Sequence, residues 1–124
     1  MKLGDTFLMP CPWSGPKIPH LWIVISDPAK HNGVFVIVNL TTDRARSGSD
    51  CKLDKGDHHW IIQECYVSFP DALEITPEQE AMINQLTASK MVTLLDPLEE
   101  AVLSRVVDAA KKSKALAPIR KKYL

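Results

Sequence analysis

A chain of 124 residues suits one domain built on a single core. Its 45% hydrophobic and 24% charged residues are ordinary for a globular protein, and a formal net charge of zero excludes a global field that would draw it to nucleic acid or membrane. No apolar run approaches the roughly 20 residues that a membrane-spanning helix needs, so no membrane partner is expected.

Charge is nevertheless uneven along the chain. Residues 63–96 carry one basic side chain against six acidic ones, and residues 97–124 carry seven against three. The three cysteines, Cys11, Cys51 and Cys65, show no close C-x-x-C spacing. An odd count, with no charged leader and apolar stretch after Met1, leads to the expectation of reduced thiols and a cytoplasmic protein.

Thr6 to Met9 reads as a first strand that ends at Pro10. Pro10 to Pro19 holds four prolines and a glycine, which forbid helix and central strand, so it is a loop in which Trp13 is expected to lie against the core. His20 stands at the entrance to the next strand. Leu21-Trp22-Ile23-Val24-Ile25 and Val34-Phe35-Val36-Ile37-Val38 are apolar without alternation, as in strands buried on both faces. The turn between them, Ser26 to Gly33, contains Asp27-Pro28 and Asn32-Gly33, so the two runs form a buried hairpin. Thr41 to Asp50 is polar and reads as a surface loop, the kind of segment where chemistry concentrates.

Cys51-Lys52-Leu53 suits a short strand and Lys55-Gly56-Asp57 a turn. His58-His59-Trp60-Ile61-Ile62 is expected to be a strand leading to another, Cys65 to Phe69, which ends at Pro70. Short strands at these intervals predict a small, strongly curved barrel. Thr76-Pro77-Glu78-Gln79 is a capping box that starts a helix running to about Leu86, with Ala81, Met82 and Leu86 inward. Asp96-Pro97-Leu98-Glu99 repeats that grammar, with Asp96 as cap. The long helix that follows carries an inward stripe of Leu98, Ala101, Val102, Val106 and Ala109, with acidic residues first and Lys111 and Lys112 last. Lys90 to Leu95 suits either a strand or a helix continuation, and the chain beyond Pro118 reads as a frayed basic tail. The fold class is therefore a small β-barrel over residues 1–70 followed by C-terminal α-helices over 71–124, mainly β or α+β, within one domain 1–124.

Asp57-His58-His59 invites a metal reading. Adjacent residues on a strand point to opposite faces, so the two histidines are poorly placed to share an ion, and neither metal nor cofactor is expected. The plainer role for Asp57 is to bond amides of its own turn. A Cys51 or Cys65 nucleophile lacks anything to orient it, and a buried inert thiol is the expectation.

What remains is His20, Ser26, Thr41, Thr42, Asp43, Arg44 and Arg46, which flank the two buried strands. A histidine acts as general acid or base near neutral pH, and threonine hydroxyls with arginines hold phosphate. That set suits RNA cleavage through the 2′-OH. The alternative is that the threonines satisfy loop amides and the arginines are solvated.

Gly4-Asp5 opening a strand, the Pro-rich loop, Val24-Ile25-Ser26-Asp27-Pro28 and Val36-Ile37-Val38-Asn39-Leu40-Thr41-Thr42 together resemble the MazF/PemK-like toxin family. The resemblance covers about residues 4–43. It implies a small SH3-like barrel, a homodimer, and a metal-independent endoribonuclease of a type II toxin–antitoxin system whose partners are RNA and a cognate antitoxin. By that resemblance Thr41 matches the catalytic threonine, Ser26 matches a serine that ends the strand, and His20 occupies the place of the catalytic arginine. The expected catalytic residues are His20, Thr41, His58 and His59, with Ser26, Thr42, Arg44 and Arg46 on the RNA. A non-catalytic module on the same barrel, binding a protein or nucleic acid in the same cleft, is the alternative.

Overall fold

Strands β2 (Pro19–Val24) and β3 (Phe35–Thr41) form an antiparallel hairpin, with Trp22 opposite Asn39, Ile23 opposite Val38 and Val24 opposite Ile37. Successive side chains go to opposite faces of the sheet. Leu21, Ile23, Val36, Val38 and Leu40 enter one apolar cluster, while Trp22, Val24, Phe35 and Ile37 enter another. Helix α3 (Glu100–Lys112) packs its Val102, Val106 and Ala110 into the first cluster, and α2 (Pro77–Ala88) packs Ile83 into the second. Burial on both faces is the physical reason why neither run alternates.

The computed structural model describes residues 1–11, 18–47 and 51–124, except for the side chain of Arg46. The expected placement of Trp13 lies outside the described residues. Around the hairpin, β1 (Thr6–Pro10), β4 (Lys52–Leu53), β5 (Cys65–Ile75) and β6 (Thr93–Leu95) complete a six-stranded sheet in the order β4-β5-β3-β2-β1-β6, every pairing antiparallel. The domain is α+β, and its sheet curls into a half-barrel. A short 3-10 helix, Pro28–Lys30, lies in the hairpin turn, where the Asp27 side chain accepts the Ala29 amide.

Several local expectations give way to tertiary context. Strand β5 does not stop at Pro70 but continues to Ile75. Its register against β3 shifts between Asn39–Ser68 and Ile37–Leu73, so the exposed proline, which has no N–H to donate, sits in a bulge. His58 to Ile62 is irregular rather than a strand, because the His58 ring bonds into a local turn. Asp96 does not cap α3. The Asp96 carbonyl is engaged by Thr6 and His58, and the Leu98 amide donates to the Gly4 carbonyl at 2.9 Å, so 96–98 stay extended and the helix starts at Glu100.

In α2 the inward residue is Ile83, with Leu86 half-buried, while Ala81 and Met82 face outward. The Thr76–Gln79 capping box is present as read. Lys90 to Leu95 resolves as a turn and then β6, which pairs with β1. In α3 the stripe runs through Val102, Val106 and Ala110, with Ala101 exposed and Ala109 half-buried. The tail is not frayed. Leu116 is 1% exposed, Pro118–Lys121 form a short α4, and Tyr123 meets His31 edge-on at 5.2 Å.

Candidate functional site

At the end of the hairpin away from the 3-10 helix, His20 and Thr41 lie two residues beyond the Trp22–Asn39 pair, one on each strand. With Pro19, Leu40 and Thr42 they form one wall of a cleft of about 640 Å³. The segment His59-Trp60-Ile61-Ile62-Gln63, with Cys65, forms the other wall. Leu40, Ile61 and Cys65 are buried, while Trp60 and Ile62 stand 38% and 80% exposed. The cleft is therefore mainly apolar, with imidazoles, hydroxyls and one amide set among its walls.

Local hydrogen bonds place the second wall. The turn before it closes through Asp57 N–H to the Asp54 carbonyl at 3.0 Å and Asp54 N–H to Asp57 Oδ2 at 2.8 Å. Gly56, at φ +101°, supplies the left-handed backbone this turn needs. Arg105 of α3 ties the turn down, donating to Asp57 Oδ2 at 3.1 Å and to the Lys52 carbonyl at 3.3 Å. Asp57 thus does the local work its residue type suggests.

His58 follows, 7% exposed. Its Nδ1 accepts the Trp60 amide at 3.1 Å, so the ring proton belongs on Nε2. Nε2 lies 2.8 Å from the Asp96 carbonyl and 3.1 Å from Thr6 Oγ1, and the Thr6 hydroxyl donates to the same carbonyl at 2.6 Å. His59 stacks on the His58 ring at 4.5 Å with 26° between planes, and its Nδ1 lies 3.6 Å from Asp96 Oδ2. The opposite-face argument for these two histidines fails because they occupy a turn, not a strand. Among the described residues, no group of three or more His, Cys, Asp or Glu side chains is placed to hold a metal ion.

Of the site residues read from the sequence, His20, Thr41, Thr42 and His59 come together in the cleft. Thr41 Oγ1 accepts the Asp43 amide at 3.1 Å, which leaves its hydroxyl proton to donate. His58 does not line the cleft, since both its nitrogens serve the fold. Ser26 lies at the other end of the hairpin, 3% exposed, where its Oγ accepts the Val36 amide at 2.8 Å. Arg44 begins α1 (Arg44–Ser47) and stands 5.9 Å over the Tyr66 ring, and Arg46 belongs to the same short helix. The Tyr66 hydroxyl donates to Glu64 at 2.6 Å, and this bond, with the charge of Lys52, holds the Glu64 carboxyl below its usual range.

Burial pushes the Cys65 thiol up to about 11, helped by Asp54, Asp57 and other neighbours, and burial also raises Cys51. Neither thiol is poised as a nucleophile. Sequence reasoning missed the Trp60–Gln63 wall by assigning it to a strand. It also missed Thr6 and Asp96, whose partners lie 52, 90 and 38 residues away. The signal for the wall was an aromatic-apolar run without alternation beside a Gly-Asp turn, whereas nothing local announces Thr6 or Asp96. No family model matches the chain, and no curated protein does either. No helix among the described residues is long and apolar enough to cross a membrane.

Proposed function

We propose that this chain is a metal-independent endoribonuclease of the MazF/PemK-like toxin type, its half-barrel a divergent SH3-like barrel. The observation that carries the reading is that two histidines and two threonines, His20, His59, Thr41 and Thr42, drawn from β2, the loop after β4, and the end of β3, line one cleft. One imidazole takes the proton of the RNA 2′-OH as that oxygen attacks the adjacent phosphorus. The bond to the 5′-oxygen breaks, and the other imidazole gives that oxygen a proton, leaving a 2′,3′-cyclic phosphate. The Thr41 hydroxyl, still a donor, and Thr42 hold phosphate oxygens. The apolar walls and exposed Trp60 accept the faces of unpaired bases. In this reading the protein acts in the cytoplasm, as a homodimer restrained by an antitoxin.

A second reading has its own support. The walls are mainly apolar, and Trp60 and Ile62 are exposed at the rim, as in a cleft that only binds. One experiment separates the two. Purified protein is mixed with single-stranded RNA in chelator, and the products are sequenced at their ends. General acid–base groups contribute about 10²–10⁴-fold, so His20→Ala and His59→Ala should each lower cleavage by roughly that factor while remaining folded. Wild-type protein that binds RNA or a protein partner tightly and cleaves no RNA would instead establish the binding module.

A further inference from the structure

We infer that Asp96 is the positioning residue for His59, and that Thr6 and His58 form the frame holding Asp96 in place. The orientation of the ring stands on geometry alone, and its consequence for catalysis rests on the ribonuclease reading above. The Asp96 carbonyl receives two hydrogen bonds, from Thr6 Oγ1 at 2.6 Å and from His58 Nε2 at 2.8 Å, and both donors are buried. The preceding residue, Leu95, is paired with Thr6 across β6 and β1. The main chain at Asp96 is therefore held by residues from two distant segments.

The Asp96 side chain has no part in that frame. It is 87% exposed, and its Oδ2 lies 3.6 Å from His59 Nδ1. The stacked His58 ring holds His59 in its plane, and the Asp96 carboxylate faces its Nδ1 edge at ion-pair distance, just beyond hydrogen-bond length. A negative charge 3.6 Å from Nδ1 favours the His59 proton on that nitrogen, which leaves the lone pair on Nε2. Nε2 is then the nitrogen left to exchange a proton with a substrate in the cleft. Free imidazole side chains in water favour the opposite tautomer, with the proton on Nε2, so the effect of Asp96 has a spectroscopic sign. The arrangement matches the general pattern of a base oriented by a third group.

The test measures the tautomers of His58 and His59 by long-range proton–nitrogen correlation NMR at about pH 8.5, above the ordinary histidine range. In the wild type we expect the proton on Nε2 of His58 and on Nδ1 of His59. In Asp96→Ala the main-chain carbonyl remains, so His58 should be unchanged, which also reports that the frame is intact. His59 should revert to the Nε2 proton. On RNA, Asp96→Ala should lower kcat roughly 10- to 100-fold with little change in KM, the scale of a misplaced reacting group. A His59 proton on Nε2 in the wild type, or on Nδ1 in Asp96→Ala, overturns the inference whatever happens to RNA. A wild type that cleaves no RNA sinks the ribonuclease reading and leaves the tautomers to decide this one. Cleavage by Asp96→Ala at the wild-type rate refutes the positioning role.

Discussion

Cys65 lines the cleft yet is held as a thiol by its surroundings, which shows how environment overrides residue type. Its folded-state value lies near 11 against an ordinary 9.0. The folded protein therefore binds this proton more tightly than the unfolded chain does. The stabilising effect is complete below about pH 9 and is lost as pH rises towards 11. Iodoacetamide at pH 8 should leave Cys65 unmodified in the native protein, as peptide mass mapping would report; rapid native alkylation at that residue would contradict the burial argument. Gly4 is a second residue-scale case. It sits at φ +91°, and an added Cβ would meet Leu103 Cδ2 at 3.0 Å. Gly4→Ala should destabilise the protein by about 1–3 kcal/mol, from left-handed backbone strain and crowding together, measured by urea unfolding.

At the scale of elements, two segments with the same grammar behave differently. Thr76 caps α2 with a reciprocal bond from Gln79, so Thr76→Ala should cost about 1 kcal/mol. Asp96 also precedes a proline and a helix, yet α3 begins at Glu100 without a side-chain cap. Asp96→Ala should therefore change stability by less than about 0.5 kcal/mol, as an exposed side chain outside any cap does. Chemical denaturation of the two variants side by side checks both values, and a large loss in the second would mean that the carboxylate supports the fold. The bulge at Pro70 belongs to this scale too, since it lets one long strand bend around the hairpin instead of ending.

At the scale of the whole molecule, α3 and the chain after it close one face of the sheet. Leu98, Val102, Val106, Ala110 and Leu116 are buried against Leu21, Ile23, Val36 and Val38. Fully burying a Leu or Val side chain is worth about 1.5–3 kcal/mol, so losing the larger members of this set approaches the roughly 5–15 kcal/mol by which whole domains are stable. Truncation after Asp96 should abolish cooperative thermal unfolding and cause aggregation. A soluble truncated protein with an unchanged melting transition would show that the hairpin face is covered in some other way.

The hairpin, the α2 capping box and the Val102 and Val106 positions of the α3 stripe were legible in the sequence. Each depends on residues close together in the chain: unbroken β-branched runs, a Thr-Pro-x-Gln start, and apolar positions three or four apart. The meeting of His20 with Thr41 was legible for the same reason, because a hairpin brings the ends of its own strands together. The opposite cleft wall was not. His58 to Gln63 has the composition of a strand, and its shape is set by a ring that spends one nitrogen on a neighbouring amide and the other on groups from β1 and the start of the α3 segment. Asp96 carried a local signal for capping that was overruled because its carbonyl had two buried donors to satisfy, and a buried polar group left unpaired costs more than a cap returns. Local pattern was enough to place the central strands and to mark the side chains capable of acid–base chemistry. Which histidine of the His58–His59 pair faces the cleft was set by folding at long range, because that choice depends on hydrogen bonds spanning 38 to 90 residues, which no local pattern encodes.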